Sequence, residues 1–160
     1  EPAVKPAASC TKTGVVGVLA TAGTLKADKY LTTRGKYAEE VRFVEHVGEG
    51  FVELVENDNT TGAEAENVVG NSLIPLLEAG ADTIVLGCTH YPFLSDTILK
   101  VASEHFPDQA ISVIDPAPAV ARHLLDVMTS EGLIRNDGFR IELHSSGDDT
   151  SLTQLLKKIG

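Results

Sequence analysis

The stretch that decides the fold is residues 82–92, which read DTIVLGCTHYP. Its apolar run, 84–86, is short, rich in β-branched side chains and bounded by Asp82 and Gly87, which predicts a buried parallel strand. A cysteine, a threonine and a histidine follow at 88–90, so they lie at the carboxyl end of that strand. Ligands of open α/β sheets bind at the carboxyl ends of strands. The stretch therefore predicts a core strand and a functional site beside it.

Strands and helices alternate along the rest of the chain. Patterns of apolar residues predict further strands at 15–20, 41–47, 111–115 and 139–144, the last of them half exposed. Helices are expected after Thr24 as a cap, over 64–79 with a kink or break near Pro75, from Ser95 to about 106, over 117–130 and over 152–159. The repeated strand-helix order favours an α/β fold with a mostly parallel sheet flanked by helices.

Apolar spacing also predicts which side of each helix faces inward. The expected inward residues are Leu25, Tyr30 and Leu31 after the first strand, Ile98, Leu99 and Ala102 in the helix from Ser95, and Val120, Ala121, Leu124, Leu125 and Met128 in the helix over 117–130. These faces are expected to cover the sheet.

The composition narrows the class of protein. A formal net charge of -10 argues against a nucleic-acid or anionic-membrane surface, because the long-range field repels both. A small anionic substrate is compatible with that charge if local backbone donors and hydroxyls offset the field.

No apolar run approaches the roughly 20 residues needed to cross a bilayer, and no signal peptide opens the chain, so a cytoplasmic location is expected. Cys10 and Cys88 are too few for a disulfide framework, and the sequence has no zinc-type spacing, so reduced thiols and no structural metal are expected.

The strand at 15–20 ends in a turn, 21–24, that carries two threonines. The turn offers hydroxyls and free N–H groups at the start of a helix, which suits a carboxylate or phosphate. Thr21 and Thr24 also have the chemistry of plain helix caps, and the pattern does not separate the two roles. The sequence lacks a Walker loop and a Gly-x-Gly-x-x-Gly motif, so nucleotide binding is unsupported.

Two chemistries fit the residues at 88–90. A cysteine at a strand end is by default a small buried hydrophobic residue, but Cys88 follows a glycine and lies two residues from His90. Cys88 fits a nucleophile with His90 as its base, as in thiol acyl transfer. It equally fits a general acid or base that moves a proton without forming a covalent bond. Glu56 is either a solvated surface acid or a partner for a histidine.

Residues 87–92, GCTHYP, resemble the motif around the second catalytic cysteine of glutamate racemases, a branch of the cofactor-independent aspartate/glutamate racemase family. Further segments resemble that family in the same order, at 1–5, 18–24, 55–56, 114–115 and 145–148. Two departures are an alanine at 20 for the family's glycine and Gly-Glu-Gly at 48–50 for its usual Cys-Pro element. The resemblance spans nearly the whole chain.

The resemblance implies proton transfer at the α-carbon of glutamate. Two opposed thiols, one as thiolate and one as thiol, interconvert L- and D-glutamate without a cofactor, and the D-glutamate supplies peptidoglycan synthesis. By this resemblance Cys88 is one of the thiols, and Thr89 and His90 contact or assist the substrate. Thr21 and Thr24 would bind its carboxylate, and Glu56 would orient His90.

The resemblance also implies a division of the chain. Residues 1–115 would form the α/β domain that carries the second catalytic cysteine, and 116–160 would complete the other, N-terminal domain. The family's first cysteine lies in that N-terminal half, to which nothing here corresponds, and Cys10 is not at a motif position. The expectation is therefore an inactive fragment whose partners are glutamate and the missing half, with a homodimer left open. The alternatives are a Cys-His acyl-transfer or hydrolase domain and a non-catalytic amino-acid-binding domain.

Overall fold

A computed structural model describes residues 3–134, 138, 140–147 and 150–159. Its centre is a parallel sheet in the order β2-β1-β3-β4. The strands are β1 Val15–Ala20, β2 Arg42–Val47, β3 Thr83–Leu86 and β4 Ser112–Ile114. The expected α/β fold with a mostly parallel sheet is confirmed.

Helices connect and flank these strands. They are α1 Val4–Cys10, α2 Ala22–Lys26, α3 Asp28–Gly35, α4 Phe51–Glu56, α5 Ala63–Glu78, a 3-10 helix Tyr91–Leu94, α6 Ser95–His105, α7 Ala117–Ser130 and α8 Thr150–Ile159. The helices expected over 64–79, from Ser95, over 117–130 and over 152–159 are all present. No helix among the described residues has both the length and the hydropathy that crossing a bilayer requires.

The strand register brings three turns to one edge of the sheet. Leu19 of β1 is opposite Leu86 of β3, and Ala20 is opposite Val47 of β2. The residues that follow each of these strands therefore meet at the carboxyl edge. This places the threonine turn, the Gly48 turn and the Cys88 loop side by side.

The two faces of the sheet are packed differently. On the packed face, Leu19, Ile84 and Leu86 belong to a core built with α4, α5, α6 and the 3-10 helix. On the cavity face, Val18 and Val85 belong to a smaller cluster that includes α1, and they also line a cavity of about 750 Å³ bounded on its other side by α7. Side chains of successive strand residues point to opposite faces, so one strand serves both environments.

Several expectations about the helices are wrong. The helix after β1 begins at Ala22, and its cap is Thr21, whose hydroxyl accepts a hydrogen bond from the Thr24 N–H. Of the kink or break expected near Pro75, the break does not occur: helix α5 continues through this residue, because a proline removes one backbone hydrogen bond while the buried residues on both sides of it hold the helix in the core. Leu31 and Leu99 are exposed. Leu99 borders the buried stripe of α6, which runs through 98, 101 and 102 at helical spacing.

The largest departures are in the C-terminal part. The expected inward residues of α7 are not buried: Val120, Leu124 and Leu125 are each more than half exposed. Val120, Ala121 and Leu124 line the cavity opposite Val18 and Val85, so open space and not packed side chains lies against them. Residues 140–144 do not form the expected strand, since a strand needs a neighbouring strand to pair with and the described residues supply none there. Position 139 of the expected strand lies outside the described residues.

Candidate active site

The Cys88 loop begins where β3 closely approaches β1. The Gly87 N–H donates to the Leu19 carbonyl over 2.8 Å. A Cβ atom at position 87 would lie 2.7 Å from the Cβ of Ala20, closer than real side chains approach, so glycine is needed there. The sequence Gly-Cys thus fixes the thiol against the carboxyl edge of the sheet.

Three reactive side chains form a line across this edge. The Cys88 Sγ lies 3.9 Å from His90 Nδ1, and His90 Nε2 lies 3.5 Å from Glu56 Oε1. The thiol is half-buried, while the His90 and Glu56 side chains are 27% and 52% exposed. The imidazole therefore lies between a thiol and a carboxylate, the order of groups found where an imidazole serves as the base for a thiol. Of the two roles that the sequence left open for Glu56, the geometry favours the histidine partner.

Helix α4 carries Glu56 to this line. Gly50 precedes the helix with a φ of 79°, a left-handed conformation that glycine adopts readily. Phe51, Leu54 and Val55 are buried and anchor the helix on the packed face. The exposed side of its last turn therefore presents Glu56 to His90.

The two threonines of the turn have different surroundings. Their hydroxyl oxygens are 3.0 Å apart, and Thr21 caps α2. Thr24 lines the same cavity as Cys88 and Thr89. The structure thus shows the capping role for Thr21 and puts Thr24 on the cavity wall.

The cavity beside Cys88 has mostly apolar walls. Among its lining residues in the described part of the chain, the charged ones are Lys29 and Asp115. The Asp115 carboxylate accepts a hydrogen bond of 2.8 Å from the Ala117 N–H, at the start of α7. Sequence reasoning did not assign Lys29 or Asp115 to the site, although Asp115 follows a strand and strand ends are where such groups gather. No cluster of three His, Cys, Asp or Glu side chains with metal-binding geometry occurs in the described residues.

Tyr91, next in sequence to His90, is part of the site's interior support. Its hydroxyl donates to the Gly48 carbonyl over 3.1 Å. Burial raises the pKa of Tyr91 to about 12, and negative charge on Cys88 contributes to the rise. Tyr91 therefore remains a protonated donor throughout the neutral range. Sequence reasoning gave Tyr91 no role of its own, although it lies within the GCTHYP motif at 87–92.

Comparison with known proteins places these residues in a family context. The model of the Asp/Glu/Hydantoin racemase family matches residues 1–124. A glutamate racemase of Cupriavidus pinatubonensis is 41% identical over 145 residues, which are 87% of this chain and 52% of that protein. The chain thus spans about half the length of the curated relatives that it matches.

Two solved structures are similar in fold. A glutamate racemase isoform from Bacillus anthracis aligns with a TM-score of 0.81 and 25% identity, covering 99% of this chain and 58% of that one. Escherichia coli glutamate racemase, solved with L-glutamate and the activator UDP-MurNAc-Ala, aligns with a TM-score of 0.73 and 27% identity, covering 98% and 59%.

Proposed function

Because the chain belongs to the Asp/Glu/hydantoin racemase family, we propose that it supplies one half of a glutamate racemase active site. In that site Cys88 carries a proton to or from the α-carbon of glutamate. The observation that carries the proposal is the line from the Cys88 thiol through the His90 imidazole to the Glu56 carboxylate, beside a cavity that Cys88 lines. The identity of about 41% to a curated glutamate racemase supports the choice of substrate.

The geometry suggests a role for each residue. His90 takes the proton of Cys88, and Glu56 stabilises the imidazolium. The Cys88 thiolate then removes the α-proton and becomes a thiol, while a second thiol on the opposite face gives its proton to the α-carbon and becomes a thiolate. The reverse reaction exchanges these roles. The hydroxyls of Thr24 and Thr89 on the cavity wall, together with Thr21 in the same turn, are proposed to bind the substrate carboxylate.

The second thiol must come from outside the described site. Cys10, the other cysteine of the chain, is exposed at the end of α1. We therefore propose that residues 1–115 form the domain that carries Cys88 and that 116–160 pack against the remaining half of the racemase. The exposed apolar side of α7 fits such a contact. On this view the isolated chain is inactive, and the complete enzyme is cytoplasmic and makes D-glutamate for peptidoglycan.

The test is complementation. The chain is assayed alone and co-expressed with the part of the Cupriavidus relative that the match leaves uncovered. Proton NMR in deuterated water follows exchange at the α-carbon of L-glutamate, and a chiral assay follows D-glutamate. We expect neither from the chain alone, both from the complemented protein, and loss of both in Cys88→Ser. Racemisation by the 160-residue chain alone, abolished in Cys88→Ser, would contradict the need for a second half. In that case the molar mass of the same sample, measured by light scattering, shows whether the chain is a homodimer, in which a second copy could supply the second thiol.

The Cys-His-Glu line also fits an acyl-transfer triad, which is the second candidate function. That chemistry requires a covalent adduct on Cys88, whereas racemisation exchanges a proton and forms none. Mass spectrometry of the complemented protein incubated with thioester or amide substrates distinguishes the two. Glutamate binding without isotope exchange would instead favour a non-catalytic amino-acid-binding domain.

A further inference from the structure

Tyr91 joins two elements of the site from the inside. It begins the 3-10 helix directly after the Cys88 loop, yet its side chain is only 1% exposed. Its hydroxyl donates to the Gly48 carbonyl over 3.1 Å in a buried contact. Its ring centre lies 4.9 Å from that of Phe51, with the ring planes at 59°. Gly48 and Phe51 both belong to the segment that leads into α4 and to Glu56.

Gly48 is shaped to receive this side chain. A Cβ atom at position 48 would lie 2.6 Å from the Tyr91 hydroxyl oxygen and 2.7 Å from its Cζ. The Gly48 N–H donates in turn to the Ala20 carbonyl over 3.2 Å. The contact therefore ties the His90 loop to the Gly48 turn and, through that turn, to the end of β1.

The surface contact between His90 and Glu56 is weak by comparison. It spans 3.5 Å between side chains that are 27% and 52% exposed. Exposed ion pairs of this kind contribute little in water, because solvent screens them and both side chains lose freedom. Such a contact does not by itself hold an imidazole between a thiol and a carboxylate, whereas a buried hydrogen bond and an aromatic contact fix the backbone on both sides.

We propose that Tyr91 is a positioning residue that holds His90 between Cys88 and Glu56. The inference rests on the proton-carrying role proposed above for Cys88. Tyr91 acts through the backbone: its hydroxyl bond to Gly48 and its ring contact with Phe51 together set the distance between the Cys88 loop and the segment that leads into α4. The Tyr91 ring itself lies in the core and does not line the cavity.

The test measures alkylation of the Cys88 thiol, a reaction that needs no second thiol. In a Cys10→Ser background Cys88 is the sole thiol, and mass spectrometry follows its alkylation by iodoacetamide between pH 6 and 9. The thiolate is the reactive form, so the rate near pH 7 reports proton transfer to His90. We expect His90→Gln to lower that rate. Tyr91→Phe should lower the alkylation rate roughly three- to tenfold, the factor that corresponds to the free energy of one net hydrogen bond. Combined with His90→Gln, it should lower the rate little further, because both changes act on the same proton transfer.

A matched control separates positioning from plain destabilisation. Thr83→Val also removes a buried hydroxyl donor, which bonds to Asp82 over 3.0 Å at the opposite end of β3. Urea unfolding of both variants confirms that their stabilities fall comparably, and Thr83→Val should leave Cys88 alkylation unchanged. If Tyr91→Phe does not fold, Phe51→Leu removes the ring contact and keeps the hydroxyl. A lowered alkylation rate in Phe51→Leu supports the proposal, and an unchanged rate overturns it.

The outcomes also separate the two proposals. If His90→Gln lowers the alkylation rate and Tyr91→Phe behaves like Thr83→Val, Tyr91 has no positioning role and the proposed function stands. If His90→Gln leaves the alkylation rate unchanged, the imidazole does not accept the thiol proton. The failure then lies in the role that the proposed function gives to His90, and not in Tyr91.

Discussion

The packed face and the cavity face belong to the same sheet but have opposite surroundings. On the packed face, Ile84 and Leu86 are fully buried beneath helices that belong to the same core. On the cavity face, Val18 and Val85 line an apolar cavity, and the helix on its far side, α7, exposes its own leucines. Parallel sheets are apolar on both faces and are normally covered on both. The contrast indicates that the packed face supplies stability while the cavity face is adapted to further contacts.

The reactive line sits where these two environments meet. Cys88 lines the cavity, whereas Tyr91, three residues later, is in the core of the packed face. Glu56 reaches His90 from α4, a helix of the packed face. A site built in this way takes its rigidity from one side of the sheet and borders the open cavity on the other.

The largest expected effect compares two leucines on the two sides. Leu73 in α5 is 0% exposed, and Leu124 in α7 is 58% exposed. Leu73→Ala should lower the free energy of unfolding by about 2 to 5 kcal/mol, because it removes buried apolar contacts and leaves a cavity. Leu124→Ala, the matched change, should alter it by no more than about 0.5 kcal/mol. Urea unfolding followed by circular dichroism measures both.

Equal losses in the two variants would break the comparison. They would mean that α7 is packed against another surface in solution, such as a second copy of the chain. An unfolding midpoint that rises with protein concentration would identify that case.

The sequence predicted the fold where local pattern and tertiary packing agree. The strand at 84–86 and the helices from Ser95 and over 117–130 follow from apolar periodicity and end signals, and they are present. Helix α1 was not predicted, because its few apolar residues lie among alanines and a proline and show no clear period. The exposure of α7 was unpredictable for a different reason: periodicity identifies an apolar side but does not say which surface covers it.

In the candidate site, too, the sequence predicted what depends on local pattern and not what depends on tertiary packing. Two residues apart, Cys88 and His90 were expected in one small site, and they are in contact range. The sequence left Glu56 open as a surface acid or a histidine partner, because its approach to His90 depends on a turn and a helix that pattern alone did not reveal. The bond from Tyr91 to Gly48 joins residues that are 43 apart in sequence. A contact of that kind follows from tertiary packing and leaves no local signal.

The second prediction concerns what holds α1 over the cavity face. Asp82, buried at the start of β3, accepts hydrogen bonds from the Thr11 hydroxyl at 2.6 Å, the Lys12 and Thr13 N–H groups at 2.7 and 2.9 Å, and the Thr83 hydroxyl at 3.0 Å. Thr11 is the residue that ends α1. Asp82→Asn keeps one oxygen for the two backbone N–H groups but puts an amide donor where the Thr11 and Thr83 hydroxyls donate, and it removes the negative charge. The change should therefore cost about 1 to 3 kcal/mol of stability, measured by urea unfolding.

Acid titration sharpens this prediction. Burial by itself would raise the pKa of Asp82, but the hydrogen bonds outweigh it and lower the pKa below its ordinary value. A lowered pKa in the folded state gives stability that is present above the unfolded pKa of about 3.9 and is lost as the pH falls through the folded pKa. The wild-type advantage over Asp82→Asn should therefore shrink in acid. An advantage that stays constant down to pH 2, or so, would contradict the hydrogen-bonded carboxylate.

The smallest expected effect comes from the hydroxyl of Tyr30, which lies beside the cavity and donates to Glu45 over 2.6 Å. Glu45 also accepts from Arg34 at 2.6 Å, so Tyr30→Phe leaves the carboxylate paired and should cost about 0.5 to 1.5 kcal/mol of stability.

Burial, followed by the bond to Glu45, raises the pKa of Tyr30 in the folded state. The stabilising effect of the hydroxyl is therefore present below the unfolded pKa of about 10 and declines as the pH rises further. Thermal melts between pH 8 and 11 should therefore converge for the wild type and Tyr30→Phe at the alkaline end. A constant difference across this range would mean that the ring, and not the hydroxyl, is what Tyr30 contributes to the cavity face.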